Sequence, residues 1–206
     1  MSFSRSFPPI LLFCLLLYID EKTIPAKYAY HSKLFIVKGI INIQDELRAK
    51  KSNEERAQLY YKLANTYFNT SYYGKAWMMF SYAKSSEELN PWSQGNDHWA
   101  FFDFYTNSLK YTDYYYRCSD AIINYKKALL LSSNKELGAK SLLALSVCDK
   151  ISYNYNENKK VGGWLYDKDY VPVYFKQLKK DYRNTEAFKE AVVECPDIRK
   201  LVSDNW

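Results

Sequence analysis

Between Tyr28 and Cys195, apolar residues recur every three or four positions in one stretch after another, with polar residues between them. Leu34, Ile36, Val37, Ile40, Ile41, Ile43 and Leu47 follow this period in the first stretch. Such spacing places side chains on one helical face. Ser52 and Asn53 are residue types that cap helix starts, and Glu55 follows Ser52 by three positions, as in a capping box. This predicts a helix over 54–69, a turn at 69–71 and a second helix over 73–85. Residues 86–98, with Pro91 and Gly95, read as a loop. Helical patterns return over 99–110, 114–132 and 135–152. A second loop is expected over 154–163, then helices over 172–182 and 185–195, the last stopped by Pro196. No alternating apolar-polar run lies between hairpin turns. The fold class expected is all-α.

Composition narrows the class further. At 206 residues the chain suits one domain, and 48% hydrophobic with 25% charged residues is ordinary for a globular protein. Glycine and proline, 6 each, are too few for collagen or a turn-rich sandwich. The net charge of +6 comes from 29 basic and 23 acidic residues spread over both halves. The densest basic stretch, Lys176, Lys179, Lys180 and Arg183, has helical spacing and reads as a solvated face. A phosphate-binding stripe would carry more basic residues with fewer acids between them, so no nucleic-acid partner is expected.

Residues 10–19, ILLFCLLLYI, form an unbroken apolar run behind Arg5. Its length is half that of a membrane span and matches a signal-peptide core. Pro8 and Pro9 at its start, and the lack of a small-x-small cleavage site, count against a signal. Three readings stay open: a secretion signal, an uncleaved anchor that associates residues 10–19 with a membrane, and a buried helix. The organisation is therefore a signal or anchor segment over 1–26 and one helical domain over 27–206. The location is the cell envelope or exterior under the first readings and the cytoplasm under the third.

Within the helical domain, Tyr60, Leu63, Ala64 and Tyr67 are followed by Ala76, Phe80 and Ala83. This bulky-Leu-small-Tyr then small-aromatic-small order resembles a tetratricopeptide repeat over 57–90, closed by Pro91. Degraded copies follow. Ala121, Tyr125 and Ala128 repeat the second triplet, Leu143 and Ala144 the Leu-small pair, and Tyr174, Phe175 and Leu178 stand as its partner. Residues 181–187 resemble the turn and restart between repeats. The step from Ala76 to Ala121 exceeds the family's period of about 34 residues, so an insertion interrupts the array. The resemblance implies antiparallel helix pairs stacked as a short, irregular solenoid; a generic helical bundle is the alternative.

The resemblance also implies a groove lined by the first helix of each unit. Carried onto the unit starting at Ala57, the groove positions are Gln58, Tyr61, Asn65, Phe68 and Asn69. Tyr61 stands where relatives that clamp a terminal carboxylate place lysine, so no carboxylate clamp is expected. The function implied is a non-enzymatic scaffold for a protein or peptide. A second class stays open: an envelope protein that binds carbohydrate or polymer through Trp92, Trp99, Phe101, Phe102, Phe104 and Tyr105. These aromatics equally suit core packing.

Sites for chemistry are sparse. Phosphate-binding loops and zinc or nucleophile motifs are missing. His31 and His98 are the only histidines, and the Asp97-His98 pair reads as polar surface. Adjacent acids such as Asp45-Glu46 or Glu54-Glu55 face apart on a helix and suit helix starts better than catalysis. No catalytic residue, cofactor or metal is expected. Cys118, Cys148 and Cys195 read as packed thiols, although one disulfide stays open, and Cys14 falls in the apolar run.

Overall fold

The structure, a computed structural model, describes residues 33–49, 51–76, 114–161 and 170–203. Seven helices and no strand occur among the described residues: α1 Lys33–Arg48, α2 Asn53–Asn69, α3 Ser119–Leu131, α4 Lys135–Val161, α5 Val173–Asp181, α6 Glu186–Glu194 and α7 Pro196–Ser203. The protein is all-α.

The helix starts follow local chemistry. The Ser52 hydroxyl accepts the Glu55 N–H, and the Glu55 carboxylate accepts the Ser52 N–H at 2.8 Å, completing the expected capping box. Asn134 Oδ1 accepts the N–H of Glu136 at 2.8 Å and opens α4. The Thr185 hydroxyl accepts the Phe188 N–H and opens α6. Each cap satisfies donors that a helix start otherwise leaves without partners.

Each helix packs chiefly on its neighbours in the described order. The most extensive contact joins α2 to α3, followed by α3 with α4 and α4 with α5; α6 packs on α4 and α7. The pairs α2–α3 and α4–α5 are antiparallel. Glu54 at the start of α2 reaches Ser132 beyond the end of α3, while Thr70 beyond α2 bonds the Tyr114 hydroxyl before α3. Asp149 in mid-α4 accepts the Val173 N–H at the start of α5, 2.9 Å away. The main core runs between these helices and contains Ala64, Phe68, Tyr125, Leu142, Leu145, Phe175, Leu178 and Phe188. A second cluster is made of tyrosines alone, Tyr72, Tyr115, Tyr116 and Tyr155, packed edge-on or stacked. It takes up four of the chain's 21 tyrosines.

Several expectations are corrected. The chain does not enter a helix at 73. It turns through 70–76, with the Ala76 N–H donating 2.8 Å to the Asn69 carbonyl. Gly74 fits there because a Cβ would fall 2.2 Å from the Asn69 carbonyl oxygen. Ala76 is half-buried in this turn and is not the small residue of a close helix crossing. The partner of α2 is α3, whose Ala121, Tyr125 and Ala128 are all buried in the same core as Ala64. The segment 154–161, expected as loop, continues α4, because Tyr155 is buried and stacks on Tyr116 at 5.9 Å between ring centroids. The helix expected over 185–195 does stop before Pro196, but a further helix follows it. Pro196 is the first residue of α7, where a missing N–H costs nothing and the fixed φ suits a helix start. Residues 10–19, Phe80, Ala83, Pro91, the aromatics at 92–105 and both histidines lie outside the described residues.

Candidate functional site

The sequence places Tyr60, Leu63 and Tyr67 on one face of α2, and Tyr61, Asn65 and Phe68 on another. Leu63 is buried as expected, but Tyr60 and Tyr67 are only half-buried, and the face expected to be open is core. Tyr61, Asn65 and Phe68 are buried, at 9%, 4% and 2% exposure. Tyr61 meets Tyr125 with ring centroids 5.7 Å apart, and the Tyr125 hydroxyl donates to Asn65 Oδ1 at 2.6 Å. They are core because α3 covers them. Of the other expected groove residues, Gln58 is exposed, and Asn69 is half-buried with its side-chain amide donating to the Asn65 carbonyl at 3.0 Å. The five do not form an accessible stripe.

The open face of α2 is the one carrying Tyr60 and Tyr67, both half-buried. It borders a cleft of about 450 Å³ between α1, α2 and α3. Gln44, Leu47 and Arg48 line it from α1; Tyr60, Leu63 and Tyr67 from α2; and Asp120, Ile123, Asn124 and Lys127 from α3. Each set recurs at helical spacing, so three helices present one stripe apiece. The α3 stripe is legible once the adjoining row, Ala121, Tyr125 and Ala128, is assigned to the core. Asp120, Asn124 and Lys127 then form a polar row at i, i+4 and i+7. Nothing in the sequence alone brings that row to α1.

The polar groups of the cleft are held in place. Gln44 Nε2 lies 3.4 Å from the Tyr67 hydroxyl, to which it donates. The Tyr67 ring meets Tyr114 edge-on at 5.8 Å, and Tyr114 bonds Thr70 in turn. Asn124 donates 2.7 Å to the Asp120 carbonyl. The Lys127 ammonium sits 5.2 Å above the centre of the Tyr60 ring, in cation–π range. Arg48 pairs with Asp45 at 2.9 Å on an exposed helix surface. Burial raises the Tyr67 hydroxyl pKa above its ordinary value. The Asp120 carboxylate adds to this and the Gln44 bond offsets part of it. Tyr67 therefore stays a neutral donor and acceptor at physiological pH. The cleft offers two tyrosines, two amides, two cations and one carboxylate.

Other sequence features are placed as follows. Lys176, Lys180 and Arg183 are exposed and Lys179 is half-buried. Cys118, Cys148 and Cys195 are buried free thiols. Among the described residues, no three His, Cys, Asp or Glu side chains are grouped to hold a metal ion, and no helix is long and apolar enough to cross a membrane. No protein-family model matches the chain, and no curated protein or solved structure shows significant similarity to it.

Proposed function

We propose that the chain is a non-enzymatic, tetratricopeptide-like helical scaffold that binds a protein or peptide partner in the cleft between α1, α2 and α3. The observation that carries this reading is the cleft itself. Its volume of about 450 Å³ lies in the range of binding sites, and aromatic rings alternate in it with amides and charges of both signs. Tyrosine supplies large contact area at low conformational cost, and amides supply directed hydrogen bonds to a peptide backbone. The succession α2–α3, α4–α5 and α6–α7 supports a repeat-like reading. In it the small-aromatic-small triplet paired with α2 is that of α3, and the insertion falls between the two helices of one unit.

The test is selection of binding peptides from a random display library against the full chain. The reading requires selected peptides whose affinity falls at least tenfold in Tyr60→Ala and Lys127→Ala, with unchanged helicity, and holds in Gln58→Ala. Enrichment of no peptide, or equal binding by all variants, contradicts it.

A further inference from the structure

Opposite charges stand at the two ends of the cleft. Asp120 and Lys127 both line it from α3, the first half-buried and the second exposed. Two helical turns separate them, so they share a face and lie about 10 Å apart along the helix axis. The antiparallel pairing sets what each one faces. Thr70 bonds Tyr114 near one end of the α2–α3 pair, and Glu54 bonds Ser132 near the other. That register puts Tyr67 at the Asp120 end and Tyr60 at the Lys127 end, where the ammonium lies 5.2 Å above the Tyr60 ring. Ile123, an exposed apolar residue, stands between the two charges on α3. Arg48, the other cation of the cleft, pairs with Asp45 at 2.9 Å. Neither Asp120 nor Lys127 enters an ion pair among the described residues. Two charges of opposite sign at a fixed spacing select a ligand that carries the complementary pair at the same spacing.

We propose, on the basis of the scaffold reading above, that the cleft selects a peptide in the polyproline II conformation carrying a basic residue and, three positions away, an acidic one. The basic residue pairs with Asp120 and the acidic residue with Lys127. The spacing decides the conformation. In polyproline II, residues three apart share a face and lie about 9 Å from each other. In a β-strand, side chains on one face recur at about 7 Å and then about 13 Å, on either side of the distance required. Polyproline II segments also dock on aromatic-lined grooves, and Tyr60 and Tyr67 supply the rings here. The aliphatic stem of the basic residue lies over Ile123 while its head reaches the Asp120 carboxylate. Either chain direction presents the two charges. Each contact is that of an exposed ion pair, a gain of a few-fold in affinity that falls with added salt. Sites so far apart act independently, so the two gains multiply.

The experiment is fluorescence anisotropy of the full chain in low-salt buffer with four labelled peptides in one proline-rich host. Their cores are Lys-Pro-Pro-Glu, Gln-Pro-Pro-Glu, Lys-Pro-Pro-Gln and Gln-Pro-Pro-Gln. The expected result is tightest binding of the first, with each neutralised charge costing about threefold. Asp120→Asn should erase the advantage of lysine over glutamine and keep that of glutamate, and Lys127→Gln should do the reverse. Lys126→Gln makes the same charge change on α3 at a residue that faces Tyr174, and should keep both advantages. The peptide series on the parent chain tests the selectivity without any variant. Equal binding of all four peptides, with amide shifts at Tyr60 and Tyr67, overturns the charge pairing and leaves the scaffold reading standing. So does binding of library-selected peptides in the cleft when none of the four binds. Failure of every peptide, selected or designed, overturns both.

Discussion

Glu54 and Glu136 make the same contact one helix pair apart. Each is the second residue of its helix, and each carboxylate accepts backbone N–H groups at or just before the start of another helix. Glu54 accepts from Ser133 at 2.8 Å and Asn134 at 3.3 Å, and Glu136 accepts from Glu186 at 2.8 Å and Ala187 at 3.1 Å. The starts of α2, α4 and α6 are thus linked at one end of the molecule. Negative charge beside these donors is favourable there, as at any helix start.

The Ser133 N–H holds the Glu54 carboxyl below its ordinary value of 4.5, and the Ser133 and Ser132 hydroxyls and the Asn134 N–H act the same way. A depressed folded pKa contributes stability above the unfolded value, and that stability is lost as pH falls through the folded value. Glu54→Gln should therefore lower the thermal midpoint at neutral pH, and the gap from the parent should close on acidification below 4.5. Circular dichroism melts across this range check it. A constant gap down to the acid limit would assign the effect to packing.

Tyr125→Phe removes the hydroxyl that donates to Asn65 Oδ1 inside the core. The amide oxygen is then left without this donor, a cost of about 1–3 kcal/mol. Urea denaturation should show that loss with an unchanged slope. Asn65 Nδ2 is itself buried without a hydrogen-bond partner. The Tyr125 hydroxyl is therefore the anchor of this side chain.

Burial raises the hydroxyl pKa of Tyr73, Tyr114, Tyr125 and Tyr170 above the ordinary 10.0. A raised folded pKa contributes stability that is complete below the unfolded value and disappears as pH climbs through the folded one. Ultraviolet titration should show these tyrosines un-ionised past 10.0, then ionising together with loss of helicity. A smooth single titration of every tyrosine at the ordinary value would contradict their burial.

Gly138→Ala tests the α4–α5 contact. Alanine in a helix interior ordinarily stabilises relative to glycine by about 0.5–1 kcal/mol. Here the added Cβ would lie 2.7 Å from the Tyr182 ring. The variant should melt below the parent, and adding Tyr182→Ala should make the Gly138→Ala change neutral or stabilising. Calorimetry of the four-member cycle reads the coupling directly.

What the sequence carries openly is local. The Ser52–Glu55 box, the helical periods of α2 and α6, and the triplet Ala121, Tyr125 and Ala128 all depend on residues within a turn or two of one another. Pairing is not local. Ala64 needs a small partner, and both Ala76 and Ala121 offer one at a suitable spacing. The choice of Ala121 turns Tyr61, Asn65 and Phe68 inward and leaves Tyr60 and Tyr67 at the cleft. Asn154, Asn156 and Glu157 look like loop because the ring that holds them in α4, Tyr116, is distant in sequence. Pro196 is read by position: the same residue ends one helix or begins the next.

Because Arg48, Lys127 and Asp120 border the cleft, binding there should weaken with added salt, unlike binding on the uncharged Tyr61, Asn65 and Phe68 face. Fluorescence anisotropy of a selected peptide between low and high salt checks this, and Lys127→Ala should reduce the salt dependence.

The most direct measurement is a backbone-amide NMR titration of the full chain with a library-selected peptide. Shift changes should concentrate at Gln44, Arg48, Tyr60, Tyr67, Asn124 and Lys127, which border the cleft, with Gln58 unmoved. Changes centred on Gln58 and its neighbours, with the cleft amides unmoved, would contradict it.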